Sequence, residues 1–291
     1  MDRHRSLSPG PLSLTAIGLA MVASGCGGPA SAATSAPGDA LAWESTGTIP
    51  ALPDPRGVGG AYVGVHRGAL IVAGGTTFER PAWEGGQKLF LQSIYVLPDE
   101  ATQVAEAESP KRPAERRWIE AGNLSLPRGH GAAVSTVHGV ICLGGGDGRD
   151  VHDDVVSVVW QPELQTVTVD RHWPRLPVAC EKLAAPPVTV DSEPSIYVAV
   201  GMRQNGEHSQ DFFRLTVAHD ATAAERAALR WQRLPSWPGP ARFGASLVAQ
   251  HDGYSTKIYL LGGKGDGQYL ADVYRFNAAT GSWSTVGSMP R

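Results

Sequence analysis

The residues in this chain best equipped for chemistry fall in two settings, a polar loop and a set of strand-opening turns. The loop runs Thr76-Thr77-Phe78-Glu79-Arg80-Pro81-Ala82-Trp83-Glu84-Gly85-Gly86-Gln87-Lys88. It offers a carboxylate in Glu84 for proton transfer, an ammonium in Lys88 for the rim of a pocket, and an indole in Trp83 able to stack on a ligand's apolar face. The alternative for Glu84 and Lys88 is a solvated ion pair that shapes the loop, worth under about 1 kcal/mol. For Trp83 the alternative is packing of the loop on its own sheet. The turns are Pro55-Arg56, Pro127-Arg128 and Ala241-Arg242, each opening a stretch rich in glycine and alanine. Their guanidinium groups either reach a pocket or brace the turn through hydrogen bonds to carbonyls. His130, two residues after Arg128, belongs either to that pocket or to the core. Asp147, Arg149 and Asp266 follow glycine pairs in short loops, where turn formation is the ordinary role of an aspartate. The histidines show no H-x-x-x-H and the cysteines no C-x-x-C spacing, so neither a metal nor a cofactor is expected.

The elements that position these residues repeat four times. An apolar strand ends in a glycine pair, an aromatic strand follows, and then a lone tryptophan precedes a turn. The last copy is Ile258-Tyr259-Leu260-Leu261-Gly262-Gly263, Asp272-Val273-Tyr274-Arg275-Phe276 and Trp283. The first has Leu70–Gly75, Ile94–Leu97 and Trp118; the second has Val140–Gly145, Asp154–Val156 and Trp173. The third is degenerate, with Ile196–Gly201, Asp211–Leu215 and Trp231. Such a period decides a fold before any local reading does. The pattern resembles the kelch repeat, which implies an all-β propeller of four-stranded blades. Gly57–Ala61, Gly129–Val134 and Phe243–Ser246 are then the inner strands, small enough for a crowded axis. The tryptophans fill the wider space between outer strands. The one helix-favouring stretch, Ala221 to Leu229, reads as a surface insertion.

A formal charge of −3 argues against nucleic acid as the main partner, because phosphate binding needs a basic excess. Arg3, His4 and Arg5 precede the apolar run Leu12–Val22 and then Ala23-Ser24-Gly25-Cys26, the order of an export signal. This resembles a bacterial lipobox, with residues 1–25 removed, Cys26 lipidated and residues 26–42 a tether; Ala23 stands where that pattern prefers leucine. The implied location is the periplasm or cell envelope, held by lipid, or else secretion. Cys142 and Cys180 read as plain buried residues, with a bridge between blades as the lesser alternative. Trp43 stands before the first turn without partners, and Ser288-Met289-Pro290-Arg291 repeats the turn Ser125–Arg128. The expectation is an incomplete propeller over 43–291, four blades plus one orphan outer strand from a ring of six.

Pro-x-Trp-Glu-Gly-Gly-x-Lys (residues 81–88) before the Ile94-Tyr95-Val96-Leu97 strand resembles the cyclically permuted bacterial N-acetylneuraminate epimerases, or sialic acid mutarotases. The resemblance covers residues 43–291. It implies an isomerase that interconverts the α and β anomers of sialic acid outside the cytoplasm, with an arginine fork on the substrate carboxylate. Arg56, Arg128, Arg242, Trp83, Lys88 and His130 are then substrate-binding candidates, and Glu84 the candidate for proton transfer. The family's N-G-E…R catalytic stretch does not stand here; its nearest echo is Asn205-Gly206-Glu207 in a loop. Two other classes compete. A non-catalytic kelch propeller that binds carbohydrate or protein needs no missing residues. A copper oxidase on the same fold needs Tyr/Cys/His ligands absent here.

Overall fold

A computed structural model describes residues 49–99, 116–190 and 193–290. The signal segment, Cys26, the tether and Trp43 lie outside the described residues. The described residues form one compact unit.

Four antiparallel four-stranded sheets follow one another along the chain. The first holds β1 (Tyr62–His66) and β2 (Ala69–Ala73). A small ribbon, β3 (Thr76–Phe78) and β4 (Lys88–Phe90), is inserted before β5 (Ser93–Leu97) and β6 (Ile119–Asn123) complete the sheet. The second is β7 (Ala132–Thr136), β8 (Gly139–Leu143), β9 (Val155–Gln161) and β10 (Thr166–Asp170). The third is β11 (Pro187–Val190), β12 (Glu193–Ala199), β13 (Phe212–Thr216) and β14 (Gln232–Leu234), with helix α1 (Ala223–Ala228) before its last strand. The fourth is β15 (Ser246–His251), β16 (Thr256–Leu261), β19 (Asp272–Asn277) and β20 (Ser282–Ser288), with the ribbon β17 (Lys264–Gly265) and β18 (Gln268–Tyr269) inserted. Helix α1 buries no residue and is held by a reciprocal cap between Thr222 and Glu225, as a surface insertion should be.

Strand alternation explains how the sheets stack. On β8 every residue is buried. Val140 and Cys142 pack with Ile71, Ile94 and Val96 of the first sheet, whereas Ile141 and Leu143 pack with Ile196, Val198 and Phe213 of the third. A strand covered on both faces loses the polar alternation of a half-exposed one. Each such aliphatic side chain contributes roughly 1.5–3 kcal/mol on burial. A third cluster joins Tyr197 and Phe212 to Ile258, Leu260 and Phe276, between the third and fourth sheets. Among the described residues no comparable buried cluster joins the fourth sheet to the first.

A repeated bond ties the outer strands together. The indole N–H of Trp118 donates to the Pro50 carbonyl (2.8 Å), that of Trp231 to Pro174 (3.2 Å) and that of Trp283 to Pro235 (2.8 Å). For the third and fourth sheets the acceptor is the turn that leaves the preceding sheet, so the tryptophan acts across the blade boundary. Trp173 departs from the pattern: it follows β10, is buried, and donates to Ser157 Oγ at 3.1 Å.

The inner strands begin later than the small-residue stretches suggested. Gly57–Ala61 is not a strand, and β1 starts at Tyr62. The glycine-rich residues instead form turns that make single bridges, Gly59 with Thr76, Gly129 with Gly146, and Phe243 with Lys264. The same bridge occurs in the degenerate repeat between Glu181 and Met202. The four turns are therefore equivalent: 58–61, 128–131, 180–183 and 242–245.

Candidate functional site at the mouth of the axis

The residue after each bridge has a left-handed backbone: Gly60 (φ 62), His130 (φ 60), Lys182 (φ 53) and Gly244 (φ 62). These four are bonded in series. His130 N–H donates to Gly60 O (2.8 Å), Lys182 N–H to His130 O (2.5 Å), and Gly244 N–H to Lys182 O (3.0 Å). One turn from each sheet thus meets at the same end of the inner strands. Because every β2-type strand returns to that end, the inserted loops and ribbons gather there too. Glycine adopts this conformation freely, while an ordinary side chain is strained in it. At two of the four positions the chain accepts that strain and presents an imidazole and an ammonium.

Their neighbours come from three different sheets. Lys88 on β4 is set by pairing with Phe78, and its Nζ donates to His130 Nε2 at 2.6 Å. The imidazole lies against Gly60, where an added Cβ would stand 2.5 Å from Nδ1, so the glycine there is required by space as well as by φ. Phe90 meets the His130 ring edge-on (6.2 Å between centroids) and lies 5.3 Å from the Lys88 ammonium. Lys182 Nζ sits 3.2 Å from Glu181 Oε1 and 5.1 Å over the Phe243 ring. Lys264 lies 5.4 Å over Tyr269. Burial pushes the Lys88 ammonium below its ordinary pKa, with Lys182 adding to the effect and Glu181 opposing it. Burial likewise lowers His130, reinforced by Lys88 and Lys182 and opposed by Glu181. Among the described residues this cluster therefore holds a neutral imidazole as acceptor and an ammonium more willing than usual to give up a proton, with Lys182, Lys264 and Glu181 beside them.

The arginines do other work. Arg128 is buried and holds Asp154 through two parallel bonds (2.8 and 2.5 Å). Arg242 is buried and holds Asp272 in the same way (2.5 and 2.9 Å), with a further bond to Gly262 O (2.8 Å). The Arg242 guanidinium keeps Asp272 below the usual carboxylate range, burial opposing, and Tyr274 donates to the same carboxylate at 2.7 Å. Both forks are taken up by aspartates that open the third strand of their own sheet, which is the bracing role. Arg56 is out of register, since Val58 occupies the equivalent turn position; it is exposed and paired with Asp54 at 2.8 Å.

In the polar loop, only Lys88 joins the mouth cluster. Residues Ala82–Glu84 form a single 3₁₀ turn, closed by Gly85 at φ 76 and by Gly86 packed against the Arg80 carbonyl, where a Cβ cannot fit. That geometry accounts for the glycine pair in the loop. It leaves Trp83 86% exposed and Glu84 exposed at the tip. Asp147 caps its own turn through bonds from Arg149 and Asp150 N–H, and Asp266 is a left-handed turn residue. Asn205-Gly206-Glu207 is likewise a turn, with Glu207 N–H on Asn205 Oδ1 (3.0 Å). Cys142 and Cys180 are buried and free. Lys182, Glu181, Phe90, Phe243 and Lys264 were not among the sequence candidates. The signal for Lys182 was its equivalence to His130, hidden because its turn lacks the Pro-Arg pair.

Four consecutive antiparallel sheets with this repeat define a kelch-type β-propeller fold. The kelch motif itself matches residues 254–290, from the β15–β16 turn through β20. Among solved structures, one titled "Structure of YjhT" is similar in fold, with a TM-score of 0.55 at 14% identity, covering 80% of this chain and 72% of that one. No curated protein sequence matches the chain.

Proposed function

We propose that the mouth binds a carboxylated sugar and that the protein interconverts the α and β anomers of N-acetylneuraminate. The observation that carries this reading is the Lys88–His130 pair at 2.6 Å, flanked by Lys182 and the Phe90 and Phe243 rings. The likeness of residues 81–88 to the mutarotase loop supports the same substrate. Mutarotation needs a base for the anomeric hydroxyl proton and an acid for the ring oxygen. In this scheme the substrate's ring oxygen takes the Lys88 ammonium from His130 Nε2, the freed Nε2 accepts the hydroxyl proton, the hydroxyl oxygen's electron pair forms the carbonyl, and the ring C–O bond breaks. Lys88 delivers a proton to the departing ring oxygen. Rotation about the freed bond and the reverse transfers close the other anomer. Each positioned group accounts for on the order of 10²–10⁴-fold. Lys182 meets the substrate carboxylate, and the aromatic rings meet the apolar faces of the sugar. Residues 1–26 support an exported, lipid-anchored setting for this chemistry.

The test is one-dimensional proton NMR of N-acetylneuraminate freshly released by a sialidase, with and without the protein. The expected result is faster α-to-β equilibration. Equilibration no faster than in buffer, with sugar binding retained, leaves a carbohydrate-binding propeller, the reading favoured by the absence of the N-G-E…R stretch. Loss of both overturns the assignment of the mouth.

A further inference from the structure

The opposite end of the sheets carries a second cavity that the mouth does not use. The five residues of β1, roughly 16 Å of strand, separate the two ends. The cavity measures about 830 Å³ and lies where the β1–β2 and β7–β8 turns meet the start of β12 and the end of β13. That size falls within the range of small-molecule sites. Its floor is apolar, formed by Val65, Ile141, Ile196 and Val217. Among the described lining residues the permanently charged group is Arg67, beside the imidazoles of His138, His219 and the buried His66, and none of them is a carboxylate. Arg67 has a left-handed backbone (φ 48) and gives one N–H to the Trp160 carbonyl at 3.2 Å, which directs the guanidinium and leaves further donors. Asp99 lies against Gly68 beside it without lining the cavity. His138 is held by the Ala218 carbonyl at 2.8 Å. Val137, at the cavity edge, is 58% exposed.

We infer that this cavity is a binding site for an amphipathic monocarboxylate, a medium-chain aliphatic acid. The chain lies on the aliphatic floor and the carboxylate meets Arg67 at the rim. A sugar is a poor fit, because the lining hydroxyls are already engaged, Ser135 by the Val65 N–H, Thr136 by Gly139 O and the His138 N–H, and Ser195 by Thr216. An apolar molecule without a head group leaves the basic rim unmatched, and charge complementarity selects the anion.

Displacement of 11-(dansylamino)undecanoate fluorescence by decanoate tests the inference, with decanol as the uncharged comparison. The expected result is displacement by decanoate at least tenfold stronger than by decanol. Arg67→Gln should abolish that preference while leaving decanol unchanged. Val137→Asp, an exposed position whose change spares the fold, should weaken decanoate by about tenfold. Lys88→Gln and excess N-acetylneuraminate should leave decanoate binding unchanged, which separates this site from the mouth. Equal displacement by decanoate and decanol, or an unaltered preference in Arg67→Gln, would overturn the carboxylate assignment. No fluorescence change up to millimolar dye would overturn the site.

Discussion

Arg128 and His130 stand two residues apart in one turn and do opposite work. Arg128 is 1% exposed, its fork closed on Asp154, and it braces the sheet. His130 occupies a strained left-handed position and turns its imidazole toward Lys88 at the mouth. The fourth sheet repeats the brace with Arg242 but places Gly244 at the mouth; the third replaces the brace with Cys180 but places Lys182 at the mouth. The two positions therefore vary independently. Bracing can be supplied or omitted sheet by sheet, and so can the group presented to the axis. Left-handed backbone where glycine would serve freely is the reason to test His130 and Lys182 for the proposed function.

Breaking the brace should have the largest effect. Arg128→Ala leaves the half-buried Asp154 without its partner and empties a buried guanidinium site, and a loss of about 1–3 kcal/mol is expected by denaturant titration. Arg128→Lys should recover only part of it, because an ammonium cannot form the two-pronged contact. Arg56→Ala, on the exposed pair outside the register, should leave the unfolding midpoint unchanged. If Arg56→Ala and Arg128→Ala destabilise equally, the distinction between the turns fails.

Gly60→Ala should cost about 1–2 kcal/mol from its left-handed backbone alone, and should also push the His130 ring aside. The double variant Gly60→Ala/His130→Gly should cost less than the sum of its parts, because removing the imidazole relieves the clash. Additive effects would mean that the ring does not pack against Gly60 as described.

The brace also predicts acid sensitivity. Asp272 is held below its ordinary pKa by Arg242, so its stabilising contribution is complete above the unfolded carboxylate value, about pH 4, and is lost as pH falls through the lower folded value. Unfolding midpoints measured from pH 7 to 2 should drop below about pH 4, and Asp272→Asn should flatten that drop. An unchanged profile in the variant would remove Asp272 from the acid transition.

Much of the fold was legible because its grammar is local and repeated. The apolar strand, the glycine pair and the aromatic strand each report a position between stacked sheets, and four copies fixed the blades. The inner-strand boundaries were misread because glycine and alanine serve equally in a tight strand and in a left-handed turn. The site was legible only in part. Lys88 and His130 stood out by type, but nothing in their separation of 42 residues says that they touch. The arginines drew notice for a chemistry they perform internally, since their aspartate partners lie 26 and 30 residues on, across two strands. Lys182 was hidden by the degeneracy of the third repeat, whose turn keeps the backbone and none of the flanking residues. Trp83 and Glu84 drew notice through the loop's resemblance, yet the loop's own 3₁₀ turn holds them outward.

In the proposed scheme His130 and Lys182 at the left-handed turn positions, with Lys88 beside them, and not the arginines, carry the chemistry. His130→Gly tests it most directly, because glycine suits the backbone there and removes only the imidazole. In this variant α-to-β equilibration of N-acetylneuraminate, followed by proton NMR, is expected to slow by about 10²–10⁴-fold relative to the unaltered protein. Stability should stay within about 1 kcal/mol, relief of strain offsetting the lost hydrogen bond. An unaltered protein that accelerates the reaction and a His130→Gly variant that does so equally well would contradict it.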